Sequence, residues 1–269
     1  MRAYGWFLLA CLLVAPARAQ QPVEVDVELI IAVDVSRSMS PRELEIQRRG
    51  YAEALASDEV VGAIRDGPLG QVALAYLEWA GSGLQRVIVD WTLIRDRAGA
   101  KAFAARLTTQ FDRSMRRTSI SGAIAFAAPM FEDNGFRGLR RVIDISGDGP
   151  NNDGGPVTLA RDAAVAKGIV INGLPLMTRE GMGARWHLDD LDRYYVDCVT
   201  GGPGAFVIPV LEWDHFPQAV RRKLVLELAG RTPRPAEPTV VPANFHGQPP
   251  TYDCFIGEKI MRRIEREMD

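Results

Sequence analysis

Asp34, Ser36 and Ser38 stand at alternate positions just after the apolar run Ile30 to Val33, in the stretch IIAVDVSRSMS. A carboxylate and two hydroxyls so spaced can turn their oxygens toward one point, which is what a hard cation such as Mg2+ or Ca2+ requires. A local role competes for part of the stretch: Ser40, Pro41 and Glu43 form a capping box with proline at the first helical position. Two more oxygen donors stand at comparable places, Thr118 just before a helical pattern and Asp148 just after an apolar strand pattern. If the strands are parallel and end along one edge, the three segments meet there. Neutral hydroxyls would then bind the ion directly, with the carboxylates supplying charge partly through water. Two carboxylates only balance a divalent cation, so the remaining position should attract one more anionic oxygen, such as an Asp or Glu of a partner.

The elements that must position these residues read as an α/β sheet covered by helices on both faces. Val25 to Val33 is the first strand, and Pro41 to about Arg65 one helix with Leu44, Gln47, Tyr51 and Leu55 on its inner stripe. Val72 to Trp79 and Arg86 to Trp91 are joined by the short turn Gly81-Ser82-Gly83, which predicts an antiparallel pair because a parallel crossover needs a dozen or more residues. Asp96 is expected to cap a helix running through Phe111. Ile120, Ile124, Ala127 and Phe131 mark a helix kinked or ended near Pro129. Arg141 to Ser146 and Ile169 to Leu176 are further strands, separated by a helix that Pro156 opens and Gly168 ends. Leu188 to Val199 is expected as a helix, Ala205 to Val210 as a sixth strand, and Asp214 as the cap of a helix carrying Phe216, Val220, Leu224 and Leu228. The expected fold is therefore doubly wound and Rossmann-like, a mostly parallel six-stranded sheet with one antiparallel edge strand.

With 47% apolar and 25% charged residues, the 269-residue chain has the composition of a globular protein. Arg2, the apolar run Phe7 to Val14 and Ala17-Arg18-Ala19 have the layout of a secretory signal cleaved after Ala19, so a periplasmic or secreted mature protein is expected. Cys11 also admits a lipid-attachment reading. The formal net charge of −2 carries no nucleic-acid footprint. Cys198 and Cys254 remain after cleavage, and in an oxidising compartment they are either a disulfide or two buried thiols. The expected organisation is a signal peptide over 1–19, one domain over 20–230, a proline-rich extended segment over 231–250 and a C-terminal amphipathic helix over 251–269. That helix repeats Ile256, Ile260, Ile264 and Met268 on one stripe, and either docks on its own domain or pairs with a partner.

Asp34-x-Ser36-x-Ser38, the threonine of TSISGAI and the acid of SGDG together resemble the metal-ion-dependent adhesion site of a von Willebrand factor A domain, in that family's order and over roughly Val25 to Gly230. The resemblance implies a bound Mg2+ (or Ca2+ or Mn2+) held by Asp34, Ser36, Ser38, Thr118 and Asp148 and completed by an acidic residue of a ligand protein. The stretches DGPNNDGG, YYVDCVTGGPGAF and RRKLVLELAG are similar to an uncharacterised family of exported bacterial A-like domains. Arg117 stands where many A domains have glycine; it either faces an acidic ligand or is solvated surface. Asn151, Asn152 and Asp153 form a second cation site or a polar turn, and Asp144, inside a strand, reads as a structural acid. His187, His215 and His246 lack zinc-ligand spacing, and no glycine-rich loop follows the first strand to suggest a dinucleotide. Three functions remain open: a non-enzymatic metal-dependent protein-binding module, a metal-assisted hydrolase of phosphoesters or esters, and a metal-free scaffold.

Overall fold

The computed structural model describes residues 21–107, 115–178, 188–229, 241–242 and 252–268. The proposed signal peptide, His187, His246 and most of the proline-rich segment lie outside them. Five long strands form the body of the sheet: β1 (Val23–Asp34), β2 (Val72–Trp79), β3 (Gln85–Ile94), β4 (Phe136–Gly147) and β5 (Ile169–Pro175). Two short ones, β6 (Phe206–Val207) and β7 (Val241–Pro242), complete the order β3-β2-β1-β4-β5-β6-β7. β1 pairs in parallel with both β2 and β4, and β4–β5 and β5–β6 are parallel as well. The expected six-stranded sheet with its antiparallel β2–β3 edge is present. The proline-rich segment adds the seventh strand, antiparallel to β6, so both edges are antiparallel.

Helices cover both faces because β1 is buried on both. Val27, Leu29, Ile31 and Val33 point into one core, with α1 (Pro41–Leu55), α2 (Asp58–Arg65), α3 (Arg97–Ala104) and α7 (Phe216–Leu228). Ile30 and Ala32 point into the other, with α4 (Ile120–Ala127), α5 (Val157–Ala166) and α6 (Leu191–Tyr194). Each strand residue thus alternates between two dry interfaces, the pattern of a parallel sheet covered on both sides. The last helix is α8 (Ile256–Met268).

Several expected boundaries shift. The single helix from Pro41 to Arg65 is two, because Ser57 turns out of α1 and caps α2 by accepting from the Val60 amide at 3.3 Å. Asp96 does cap α3 through the Gly99 amide, but the helix ends at Ala104, and 108–114 lie outside the described residues. Asp214 does not cap α7: Trp213–His215 form a 3-10 turn, and Trp213 Nε1 instead donates to Glu43 Oε1 at 3.1 Å. β4 begins five residues before Arg141, since its basic first half, FRGLRR, pairs with β1. The expected strand over Ala205 to Val210 keeps only Phe206–Val207 and an isolated bridge at Val210. Leu188 to Val199 is a short helix, α6, widening into a π-helical turn over Tyr195–Val199.

Candidate metal centre

β1 delivers Asp34 to the carboxyl edge of the sheet, where its side chain has no exposure to solvent. Its Oδ1 accepts from the Ser36 amide at 2.7 Å, fixing the turn that follows the strand. Its Oδ2 is buried and has no hydrogen-bond partner among the described residues. From there a chain of hydroxyls crosses to β4: Ser36 Oγ lies 2.9 Å from Ser38 Oγ, and Ser38 Oγ donates to Asp148 Oδ1 at 2.9 Å. The expected capping box holds the other end of the turn, with Ser40 N donating to Glu43 Oε2 at 2.6 Å and Glu43 N to Ser40 Oγ at 3.3 Å. Gln47 Nε2 donates to the Asp34 carbonyl at 3.0 Å and so ties α1 to the same turn.

The loop after β4 fastens the third segment. Thr118 and Asn152 exchange two hydrogen bonds, Thr118 N to Asn152 Oδ1 at 2.9 Å and Asn152 N to Thr118 O at 2.8 Å. Asn151 Oδ1 accepts from Ser121 N at 3.0 Å, and Asp153 Oδ2 from Ser82 N at 2.7 Å. Asn151, Asn152 and Asp153 are thus spent on backbone amides of neighbouring loops, which is the polar-turn reading. Thr118 is buried within this lattice, and Arg117 before it has φ +67°, the left-handed region that favours glycine. The Arg117 side chain is exposed and paired at 2.9 Å with Glu265 of α8.

Electrostatics sets the two carboxylates apart from surface acids. Burial, then the nearby charge of Asp148, raises the Asp34 pKa well above the ordinary value. Burial also pushes the Asp148 carboxyl up to about 6, with the Ser38 hydroxyl opposing and the charge of Glu43 adding. Two acids that burial and mutual repulsion both penalise form a site short of positive charge. Among the described residues no group of three or more His, Cys, Asp or Glu side chains is placed to hold a metal ion. Any cation here must therefore lean on hydroxyls as well as on Asp34 and Asp148.

Two residues that the motif did not single out complete the floor. A Cβ at Gly147 would lie 2.9 Å from Tyr195 Oη, 3.1 Å from Asp34 Oδ2 and 3.2 Å from the Trp79 ring, so only glycine lets these groups converge. Tyr195 comes from the π-helical turn, its hydroxyl is buried without a hydrogen-bond partner, and burial followed by the charge of Asp34 keeps the phenol protonated. The doublet Tyr194-Tyr195 was the available signal, but nothing in sequence placed it opposite Asp34. Tyr194 accepts from the Asn151 amide at 3.1 Å and steadies the same loop.

Residues 24–232 match the family described as protein of unknown function (DUF1194). The chain belongs to that family. No curated protein matches it. Among solved structures, the DUF1194 chain is similar to proximal thread matrix protein 1 from the mussel byssus, in a form whose metal-ion-dependent adhesion site holds zinc. The TM-score is 0.52 at 14% identity, over 78% of this chain and 49% of that one. It is also similar to the pilus adhesin SpaC from Lactobacillus rhamnosus GG, with TM-score 0.53 and 12% identity over 78% of this chain and 31% of that one. A von Willebrand factor type A protein from Catenulispora acidiphila gives TM-score 0.51 and 16% identity over 76% and 43%. At such identities the likeness establishes the fold, and the DUF1194 domain is a von Willebrand A-like α/β domain. It spans less than half the length of each of these chains.

In this DUF1194 chain Cys198, inside the matched domain, and Cys254, beyond it, form a disulfide, with their Cα atoms 5.5 Å apart. It anchors α8 to the π-helical turn. α8 then docks in cis: Gly257 sits against the Asn151 backbone, and Glu258 accepts from Asn151 Nδ2 at 2.8 Å. No helix among the described residues is long and apolar enough to cross a membrane.

Proposed function

We propose that this chain is an exported, metal-dependent protein-binding module of the adhesion type. Asp34, Ser36, Ser38, Thr118 and Asp148 would hold a divalent cation, Mg2+ or else Ca2+ or Mn2+, and a partner protein would present an Asp or Glu to it. The observation that carries this reading is the buried Asp34 carboxylate, which has one oxygen unpartnered and is linked through Ser36 and Ser38 to a second penalised carboxylate, Asp148. An orphaned carboxylate oxygen in a dry site costs free energy unless something positive faces it, so the residues present fit a cation. The ion would supply positive charge and one coordination position open to an anionic oxygen. Around it, Ser36 and Ser38 would turn their oxygens from each other toward the ion, while Asn152 and Gln47 hold the two loops in register.

A metal-assisted hydrolase is the less supported use of the same residues. Catalysis would need a base within hydrogen-bond reach, and the two carboxylates would already be committed to the ion. A reading as a non-enzymatic module in the periplasm or outside the cell accords with the disulfide, which persists in oxidising compartments.

Calorimetric titration of Mg2+, Ca2+ and Mn2+ into chelator-treated protein tests the proposal, with Asp34→Ala and Asp148→Ala alongside. Saturable binding in the parent and none in either variant is the expected outcome. Binding that survives Asp34→Ala overturns the assigned site, and none in the parent overturns the proposal and leaves the scaffold reading.

A further inference from the structure

Between β4 and α7, one lysine and two acids are sealed inside the protein. Lys223 and Glu227 lie one turn apart on α7, and Asp144 lies in the middle of β4. Each is 1% exposed. Lys223 Nζ is 2.9 Å from Asp144 Oδ1 and is also hydrogen bonded to Glu227 Oε1. Asn172 of β5 donates to the same Glu227 oxygen at 2.9 Å, and the Phe206 ring covers the amine at 5.1 Å. Asp144 Oδ2 and Glu227 Oε2 have no hydrogen-bond partner among the described residues. A structural ion pair would have a balanced and fully satisfied charge set, since each unmatched buried charge is costly. Here one sealed amine faces two acids with carboxyl oxygens left unsatisfied, and Arg140, which donates to the Glu227 backbone carbonyl at 2.6 Å, is the further cation beside them.

We propose that Lys223 and Asp144 condense into an intramolecular amide cross-link between α7 and β4, with Glu227 carrying the proton. The amine nitrogen is held 2.9 Å from a carboxyl oxygen of Asp144, on the atom bonded to the carbon it would attack, and a desolvated lysine is a competent nucleophile once neutral. Burial first, and then the charge of Glu227, push the Asp144 carboxyl up to about 7, so it can carry the proton that a leaving hydroxyl needs. Burial works against the Lys223 ammonium, but the charges of Asp144 and Glu227 outweigh it and keep the amine protonated. The reaction therefore starts with a proton passing along the Lys223–Glu227 hydrogen bond, which leaves an amine and two neutral acids.

The neutral Nζ then attacks Cγ of Asp144. Glu227 gives its proton to the departing hydroxyl and recovers one from Nζ, so it ends as the neutral acid, holding the proton that the Lys223 ammonium gave up. One N–C bond forms, one C–O bond breaks, one water leaves, and nothing is oxidised or reduced. The product has no charge on either joined group, and the desolvation cost that the ion triad carries disappears. The bond would lock the central part of the sheet to the helix preceding the proline-rich segment.

The test is the intact mass of the reduced, purified mature protein, followed by a tryptic map. A mass lower than the sequence by one water is expected, with the segment Val142 to Arg161 joined to the segment starting at Lys223, where trypsin no longer cuts. Lys223→Arg keeps the charge without a condensing amine, and Glu227→Gln keeps the hydrogen bonds without the shuttled proton. Both should show the full sequence mass, and Glu227→Gln keeps the test valid should Lys223→Arg fail to fold. An unshifted parent mass overturns the proposal. So does a water loss that persists in Lys223→Arg, or one that maps to the Asp148-Gly149 or Asp153-Gly154 pairs, where a succinimide would form instead.

Discussion

Asp34 is the residue at which stability and the proposed function pull apart. Its Oδ1 is satisfied by the Ser36 amide and its Oδ2 by nothing, so in metal-free protein the charge is a burden. Asp34→Asn keeps an oxygen for that amide and removes the charge. It is expected to stabilise the chelator-treated protein by about 1–3 kcal/mol in urea titrations while abolishing any stabilisation by Mg2+. If Asn destabilises the metal-free state, Asp34 is held by something other than a cation. The pH response has a defined sign. Asp148, pushed up to about 6 when folded, binds its proton more tightly in the folded than in the unfolded chain. Asp34 is raised in the same direction. Their contribution is thus fully present below the ordinary carboxylate range; the Asp148 part is lost as pH rises through about 6, and Asp34 acts with the same sign. Melting temperatures of chelator-treated protein should reflect that loss between pH 4 and 7, and saturating Mg2+ should flatten or reverse it. Identical slopes with and without the ion would place the cation elsewhere.

At the scale of elements, the site depends on how loops are tied rather than on the strands alone. Asn151 and Asn152 accept backbone amides at the start of α4 and Asp153 accepts one from the turn between β2 and β3, and α8 leans on the first of them. Gly257 makes that approach possible: a Cβ there would stand 2.0 Å from the Asn151 carbonyl oxygen. Gly257→Ala should therefore lift the start of α8 and break the Asn151–Glu258 contact. We expect a loss of about 1–3 kcal/mol, typical of overpacking, with faster amide exchange along Ile256–Met268 and little change in β1 or β4. Unchanged protection of α8 would mean that the helix is held elsewhere. The helical stripe of α8 was plain in sequence. Its docking place was not, because the same stripe would serve a partner chain equally well.

For the whole molecule, the disulfide and α8 close the chain back onto the loop after β4, beside the candidate site. Cys198 and Cys254 are separated by 56 positions. Reduction, or Cys198→Ser with Cys254→Ser, should cost up to about 4 kcal/mol in the chain-entropy account, read as a lower urea midpoint, and should free the Arg117–Glu265 contact. A reduced protein of unchanged stability would show that α8 packing alone holds the closure. The ion pair itself is exposed at both ends and contributes at most about 1 kcal/mol. The covalent and packed anchors, not the charges, decide where α8 sits.

What the sequence determined by itself is the type of most elements and that the strand ends carrying Asp34 and Asp148 meet at one sheet edge. Apolar strands ending in Asp34 and Asp148 and a short turn forcing β2 against β3 are local patterns, and a parallel sheet brings its strand ends together without further information. Tertiary structure decided what depends on distant partners. Ser57 divides a helix whose apolar stripe runs on through the break. The basic half of β4 is a strand only because β1 is beside it. Gly147 and Tyr195 converge on Asp34 from positions that carry no mutual signal, and Lys223 meets Asp144 across 79 residues. Periodicity records which face of an element is apolar; it does not record which buried polar groups will be left facing one another, and that is where the chemistry proposed for this protein lies.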